Sequence, residues 1–146
     1  MSLWSLDNPA FTDYAFYAGV LAAKVMAMGF ITGYYRMTKK AFVNPEDAKN
    51  LGGKDFKVQV DADVERVRRA HQNDLENITV FWILGLLFLL TNPSPATARL
   101  IFRIYTGSRI GYTILYIRGS YLRPGVYIIG VICNIFMLYR IICTFW

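Results

Sequence analysis

The sequence predicts an all-α integral membrane protein, a bundle of four helices, and three observations carry that class. Hydrophobic residues make up 55% of the chain and aromatics 16%, above the usual share for a soluble domain. Apolar runs close to the roughly 20 residues that cross a bilayer recur along the chain. A charged stretch at 65–78, ERVRRAHQNDLENI, runs straight into an uncharged one, TVFWILGLLFLL, with no Gly or Pro at the join. The length, 146 residues, suits one domain over 1–146.

The first spanning segment runs over about 15–35, interrupted only by Lys24, and its helix is placed over 11–36. The second segment is uncharged only over 78–90, too short to span alone. Nothing from 64 to 91 breaks a helix apart from one tolerable glycine, Gly85. One helix over 64–91 follows, roughly 40 Å long at 1.5 Å per residue, with Asp61–Ala62–Asp63 supplying its N-cap. Its charged half then lies at or just inside the membrane surface. The third segment, about 100–117, carries Arg103 and Arg109 and is placed in a helix over 96–118. The fourth, about 125–146, carries Asn134 and Arg140 and is placed over 124–145. Gly29 with Gly33 and Gly107 with Gly111 have the spacing that allows close helix approach.

Charge gives the orientation. The first and third loops hold Arg36, Lys39, Lys40, Lys49, Lys54, Lys57, Arg118 and Arg123, while the N-terminus and second loop are almost free of cations. The positive-inside rule places the first and third loops in the cytosol and both termini outside or in the lumen. The start, MSLWSLDNPAFTD, has no basic region and does not read as a cleavable signal. The net charge of +6 is spread through apolar segments and one loop, so no basic domain points to nucleic acid. Cys133 and Cys143 are ten residues apart on one helix, about 15 Å along it and too far to bridge. With one histidine and no paired cysteines at metal spacing, no metal site is expected.

The candidate site is the charged stretch. Residues three and four apart share a helix face, so Glu65, Arg69, Gln72, Asn73 and Glu76 form one polar stripe, with Arg68, His71 and Leu75 beside it. A basic patch touching lipid headgroups is the plain alternative. Asn73, Asp74 and Glu76 lie a turn deeper, next to the apolar run, where polar groups are costly unless partnered. Arg109, Tyr112 and Tyr116 share a face of the third helix. Their plain alternatives are snorkelling and interfacial anchoring. Arg36, Arg123 and Tyr127 reach the same depth from the other segments. Such a pocket wants a ligand with carboxylates and an amine.

These residues resemble a known family, the membrane-associated proteins in eicosanoid and glutathione metabolism. ERVRRAHQNDLENI is similar to its signature, and KKAFVNPEDA at 39–48 to its first-loop motif. The GSRIGYTILY segment and the loop lengths agree over nearly the whole chain. The resemblance is closest to the microsomal glutathione transferase branch, with the prostaglandin E synthase branch near. It implies a homotrimer in the endoplasmic reticulum membrane, with the mitochondrial outer membrane as an alternative. It also implies glutathione bound between subunits on the cytosolic side. The expected activity is detoxifying transfer of the glutathione thiolate to lipophilic electrophiles, with reduction of lipid hydroperoxides beside it. A prostaglandin-type isomerase and a non-catalytic scaffold stay as alternatives. The resemblance makes Arg36, Arg69, Asn73, Glu76 and Tyr116 glutathione contacts. Arg68 and His71 contact or brace the site, and Arg109 and Tyr127 line it. Arg123 matches the sulfur-side arginine if the third loop is two residues shorter here. Three residues depart from the synthase pattern: Gln72, Tyr112 and Pro124 stand where an arginine, a histidine and a serine are found. Ala48 stands where some transferases carry a cysteine.

Overall fold

A computed structural model describes residues 5–52 and 58–146. Lys54 and Lys57, counted above among the first-loop cations, lie outside the described residues, as do the first four residues of the N-terminus. Helix α1 spans Pro9–Lys39, α2 Pro45–Leu51, α3 Ala62–Leu89, α4 Pro95–Ile117 and α5 Arg123–Phe145. No strand forms among the described residues beyond an isolated bridge between Phe42 and Val58.

Local chemistry sets the helix ends. Asn8 accepts a bond from the Ala10 N–H at 3.1 Å ahead of Pro9, the first residue of α1. Asp61 accepts from the N–H groups of Asp63 and Val64 at 2.9 and 3.2 Å, starting α3. Ser94 does the same for Thr97 ahead of Pro95 in α4. Each cap fills donors that the first helical turn leaves unpaired. The α4–α5 turn passes through Gly119 at φ 66°, a left-handed conformation that glycine adopts without a Cβ penalty. The short α2 is not expected from the sequence. Seven residues are too few for a periodic apolar face, and its signal is only Pro45 followed by Glu46 and Asp47 in the first turn. Ala48, fully buried, seats it.

Helix α4 packs on α5 and α1, and α3 packs on all three of the other long helices. One end of the assembly is aromatic. Phe81 stacks on Tyr105 at 4.2 Å, and Tyr14, Phe88 and Phe102 surround them. The polar tips are satisfied: the Tyr14 hydroxyl donates to the Trp82 carbonyl at 2.8 Å and the Tyr105 hydroxyl to Asn77 at 2.7 Å. Close helix approach within the chain occurs at Gly85, against the Tyr14 ring, and at Gly130, against Ser108. Gly33 and Gly107 meet no close neighbour there. Helices α1 and α5 are long and apolar enough to cross a bilayer. Phe16, Met26, Phe30, Ile132, Ile135 and Leu138 point outward, the arrangement a hydrocarbon surround requires.

Candidate functional site

The first half of α3 carries two kinds of charge on two faces. Val67, Ala70, Asp74 and Ile78 follow one another at helical spacing and are buried. Arg68, Arg69, Gln72 and Glu76 are exposed on the opposite side.

Along the α1 flank, Arg68, His71, Gln72, Leu75, Glu76 and Thr79 line a groove of about 570 Å³. Arg68 also walls a second hollow of about 390 Å³, with Arg36, Val43, Asn44, Val60 and Glu65. Arg68 donates to Glu65 through Nε at 3.0 Å and Nη2 at 2.8 Å. These bonds hold the Glu65 carboxyl below the ordinary glutamate range, helped by the charges of Arg69 and Arg36. Arg36 Nε is buried and has no hydrogen-bond partner among the described residues. Glu76 receives only a 3.3 Å contact from Gln72, and Arg69 makes no ion pair among the described residues. His71 leans toward α1, its Cε1 3.9 Å from where a Cβ on Gly29 would sit.

The other flank faces α4. Asp74, with no exposed surface, pairs with Lys24 of α1 and with Arg109 Nη2 at 3.2 Å. Thr113 ties the cluster together, accepting from Lys24 at 2.7 Å and donating to Asp74 at 3.2 Å. The same Arg109 nitrogen donates to the Asn73 side-chain oxygen. The Arg109 guanidinium lies over the Tyr112 ring at 4.7 Å. Tyr112 touches Tyr116 and Tyr127 at 5.6 and 5.8 Å between ring centres, and Arg123 sits 4.7 Å above Tyr116.

The structure thus gathers the sequence-derived site residues into two sets. Arg68, His71 and Glu76 line one hollow and Arg36 a second that shares Arg68 with it, while Arg69, exposed on the same helix, lines neither. Asn73, Arg109, Tyr116, Arg123 and Tyr127 meet on the α4–α5 flank. Tyr116, Arg123 and Tyr127 do not line either hollow of the first set. Arg109, read from sequence as lining the site, lies inside the chain at 1% exposure with its guanidinium turned to Asp74 and Asn73. Lys24 and Thr113 were not singled out from the sequence. Their signal was indirect: Asp74 falls on the buried period of α3 and requires partners there.

Outward apolar faces on long helices, with a charged groove at one end, define the class: an all-helical membrane protein that presents a polar binding surface. The chain belongs to the MAPEG family, whose model matches residues 14–143. It is 47% identical over 115 residues to human microsomal glutathione S-transferase 1, covering 77% of this chain and 74% of that protein. The pig protein of the same name is 46% identical over the same shares. Human prostaglandin E synthase is 37% identical over 112 residues, covering 77% of this chain and 73% of that protein.

Proposed function

We propose that the protein is a membrane-bound glutathione transferase, a homotrimer of four-helix subunits with its site facing the cytosol. The observation that carries this is the exposed, mixed-sign stripe of α3. Among the described residues, Arg69 and Glu76 have no ion-pair partner there, and the buried Arg36 Nε has no hydrogen-bond partner. Glutathione offers two carboxylates for the arginines and one ammonium for Glu76. The names of the relatives agree with such a ligand. The two flanks support sites between subunits, because the Arg36–His71 surface of one subunit facing the Tyr116–Arg123 surface of the next would close a pocket. The membrane is that of the endoplasmic reticulum, in keeping with the microsomal name of the relatives.

The reaction is attack of the glutathione sulfur on an electrophilic carbon. A carbon–sulfur bond forms, and the leaving group departs with its electron pair. A free thiol has a pKa of about 8.5. Lowering it by about two units takes roughly 2.7 kcal/mol and raises the thiolate fraction at neutral pH some tens of times at most. Nucleophilicity falls with a slope of about 0.4–0.5, which removes nearly tenfold of that gain. Holding the thiolate beside a membrane-dissolved electrophile therefore supplies most of the rate. Arg123, stacked on Tyr116, is the cation for the sulfur. Pro124 beside it has no N–H and no hydroxyl, so a step that needs a neighbouring hydroxyl finds none, which favours transfer over isomerisation.

Conjugation of a dinitrohalobenzene, measured beside isomerisation of a prostaglandin endoperoxide, tests the assignment. Transfer should dominate, and faster isomerisation would overturn it. Arg123→Ala should raise the pKa of the bound thiol, followed by thiolate absorbance near 240 nm, while glutathione still binds. Glu76→Gln should weaken glutathione binding by roughly 1.5–3 kcal/mol, the worth of a charge-assisted bond. Unchanged affinity would make the stripe a structural or headgroup-facing feature.

A further inference from the structure

Building on the glutathione reading, we infer that Arg109 is a positioning residue that sets which way Asn73 faces, so that Asn73 presents a donor to an acceptor group of the ligand. A guanidinium carries donors only. The Asn73 atom against Arg109 Nη2 is therefore the amide oxygen. With that oxygen turned inward, the amide nitrogen turns outward, and it makes no hydrogen bond among the described residues. The backbone carbonyl of Asn73 is already taken by Asn77 at 2.8 Å. What Asn73 offers the site is thus an N–H pair, on the stripe between Arg69 and Glu76.

Arg109 is itself held rigidly. Asp74 accepts from it at 3.2 Å, the Tyr112 ring lies beneath it, and Lys24 and Thr113 fix Asp74 from the far side. Two cations share one carboxylate in this cluster. Neutralising Asp74 needs only Lys24, so charge balance alone does not account for Arg109. Its reach to the Asn73 oxygen does. Flipping the amide would put N–H against N–H and leave the guanidinium without that acceptor. The ligand's polarity is fixed as a result: a carboxylate or carbonyl at Asn73, and an ammonium one turn on, at Glu76.

The test is a mutant cycle on glutathione affinity by calorimetry, with thermal unfolding recorded for every variant. Asn73→Asp keeps an oxygen facing Arg109 but replaces the outward donor with an acceptor. It should unfold no earlier than the parent and bind glutathione about tenfold or more weakly, the scale of a lost bond to a charged group. Asn73→Ala should weaken binding on the same scale. Arg109→Met leaves one cation for one carboxylate and should fold. It should weaken binding several-fold in the parent and have no further effect in the Asn73→Ala background, because its action passes through Asn73. Losses that add would mean that Arg109 acts on the ligand directly or through general stability, and would overturn the inference. Parent-like affinity in Asn73→Asp would overturn it as well, even if Arg109→Met failed to fold. A parent that binds no glutathione overturns the glutathione reading and this inference with it, whereas binding with additive losses overturns the inference alone.

Discussion

Two charged regions meet at the same stretch of α3, and each combines two cations with one carboxylate. The Lys24–Asp74–Arg109 cluster lies inside and the Arg68–Arg69–Glu76 stripe lies outside. Inside, the carboxylate has three donors around it, from Lys24, Arg109 and Thr113, with the Thr113 hydroxyl within reach of both oxygens. Outside, Glu76 has only a long contact from Gln72, and Arg69 has no ion pair among the described residues. The difference teaches where each charge acts. A buried charge must be answered by the protein itself, because its desolvation is not repaid otherwise. An exposed charge left unanswered is free to meet something else.

Breaking the inner region should cost far more stability than breaking the outer one. Asp74→Ala would leave the buried Arg109 and the largely buried Lys24 as two cations with no anion between them. Removing one partner of a buried ion pair typically costs about 3–5 kcal/mol. The variant should show a large drop in unfolding temperature or fail to accumulate. Glu76→Gln should unfold with the parent while binding glutathione more weakly. If Asp74→Ala is as stable as the parent, the cluster is not an anchor and the contrast fails.

A second, smaller effect sharpens the same contrast between interior and surface, at glycines. A Cβ on Gly85 would sit 2.5 Å from the Tyr14 ring, and the hydroxyl of Tyr14 is tied to the Trp82 carbonyl. The ring cannot swing aside without losing that bond. Gly85→Ala should therefore lower stability by about 1–3 kcal/mol, the usual range for overpacking. A Cβ on Gly29 meets only His71 at an ordinary 3.9 Å. Gly29→Ala should be neutral or stabilising, since alanine is favoured over glycine in a helix by up to about 1 kcal/mol. Thermal unfolding of the two variants side by side checks the ordering.

Some of this was legible in the sequence, and the limits have physical causes. The Asp61 cap could be read because it depends on neighbours two and three residues away. The outward stripe could be read because helical spacing places Glu65, Arg69, Gln72 and Glu76 on one side. The shared face of Arg109, Tyr112 and Tyr116 could be read as well, and the two tyrosine rings do meet. Which of those residues turn inward could not. Asp74 is answered by Lys24, fifty positions earlier in the chain, and by Arg109, thirty-five later. That pairing exists only once three helices have packed. Arg109 illustrates the cost: its position in mid-helix was visible, but not that its guanidinium faces the core. The helix α2 was hidden for the opposite reason, since seven residues are too few to show a period.

The smallest effect belongs to the exposed pair at the start of α3, and its pH dependence has a definite sign. Hydrogen bonds from Arg68 depress the Glu65 carboxyl in the folded chain. In the unfolded chain the group titrates near about 4.3. Between the two values the unfolded state binds more protons, so stability rises with pH there. The contribution is complete above the unfolded value and disappears as pH falls through the folded one. At neutral pH, small changes of pH should therefore leave it untouched. The Arg68 side chain is 47% exposed, and solvent screens such a pair strongly. Glu65→Gln should consequently shift the unfolding temperature less than Asp74→Ala or Gly85→Ala, with the difference from the parent shrinking below about pH 4. Salt should weaken it too, most clearly near 1 M, where the screening length falls to about 3 Å. The Asp74 cluster, shielded from water, should keep its effect at the same salt. A Glu65→Gln loss that matched Asp74→Ala and resisted salt would mean that the outer charges also act as internal anchors.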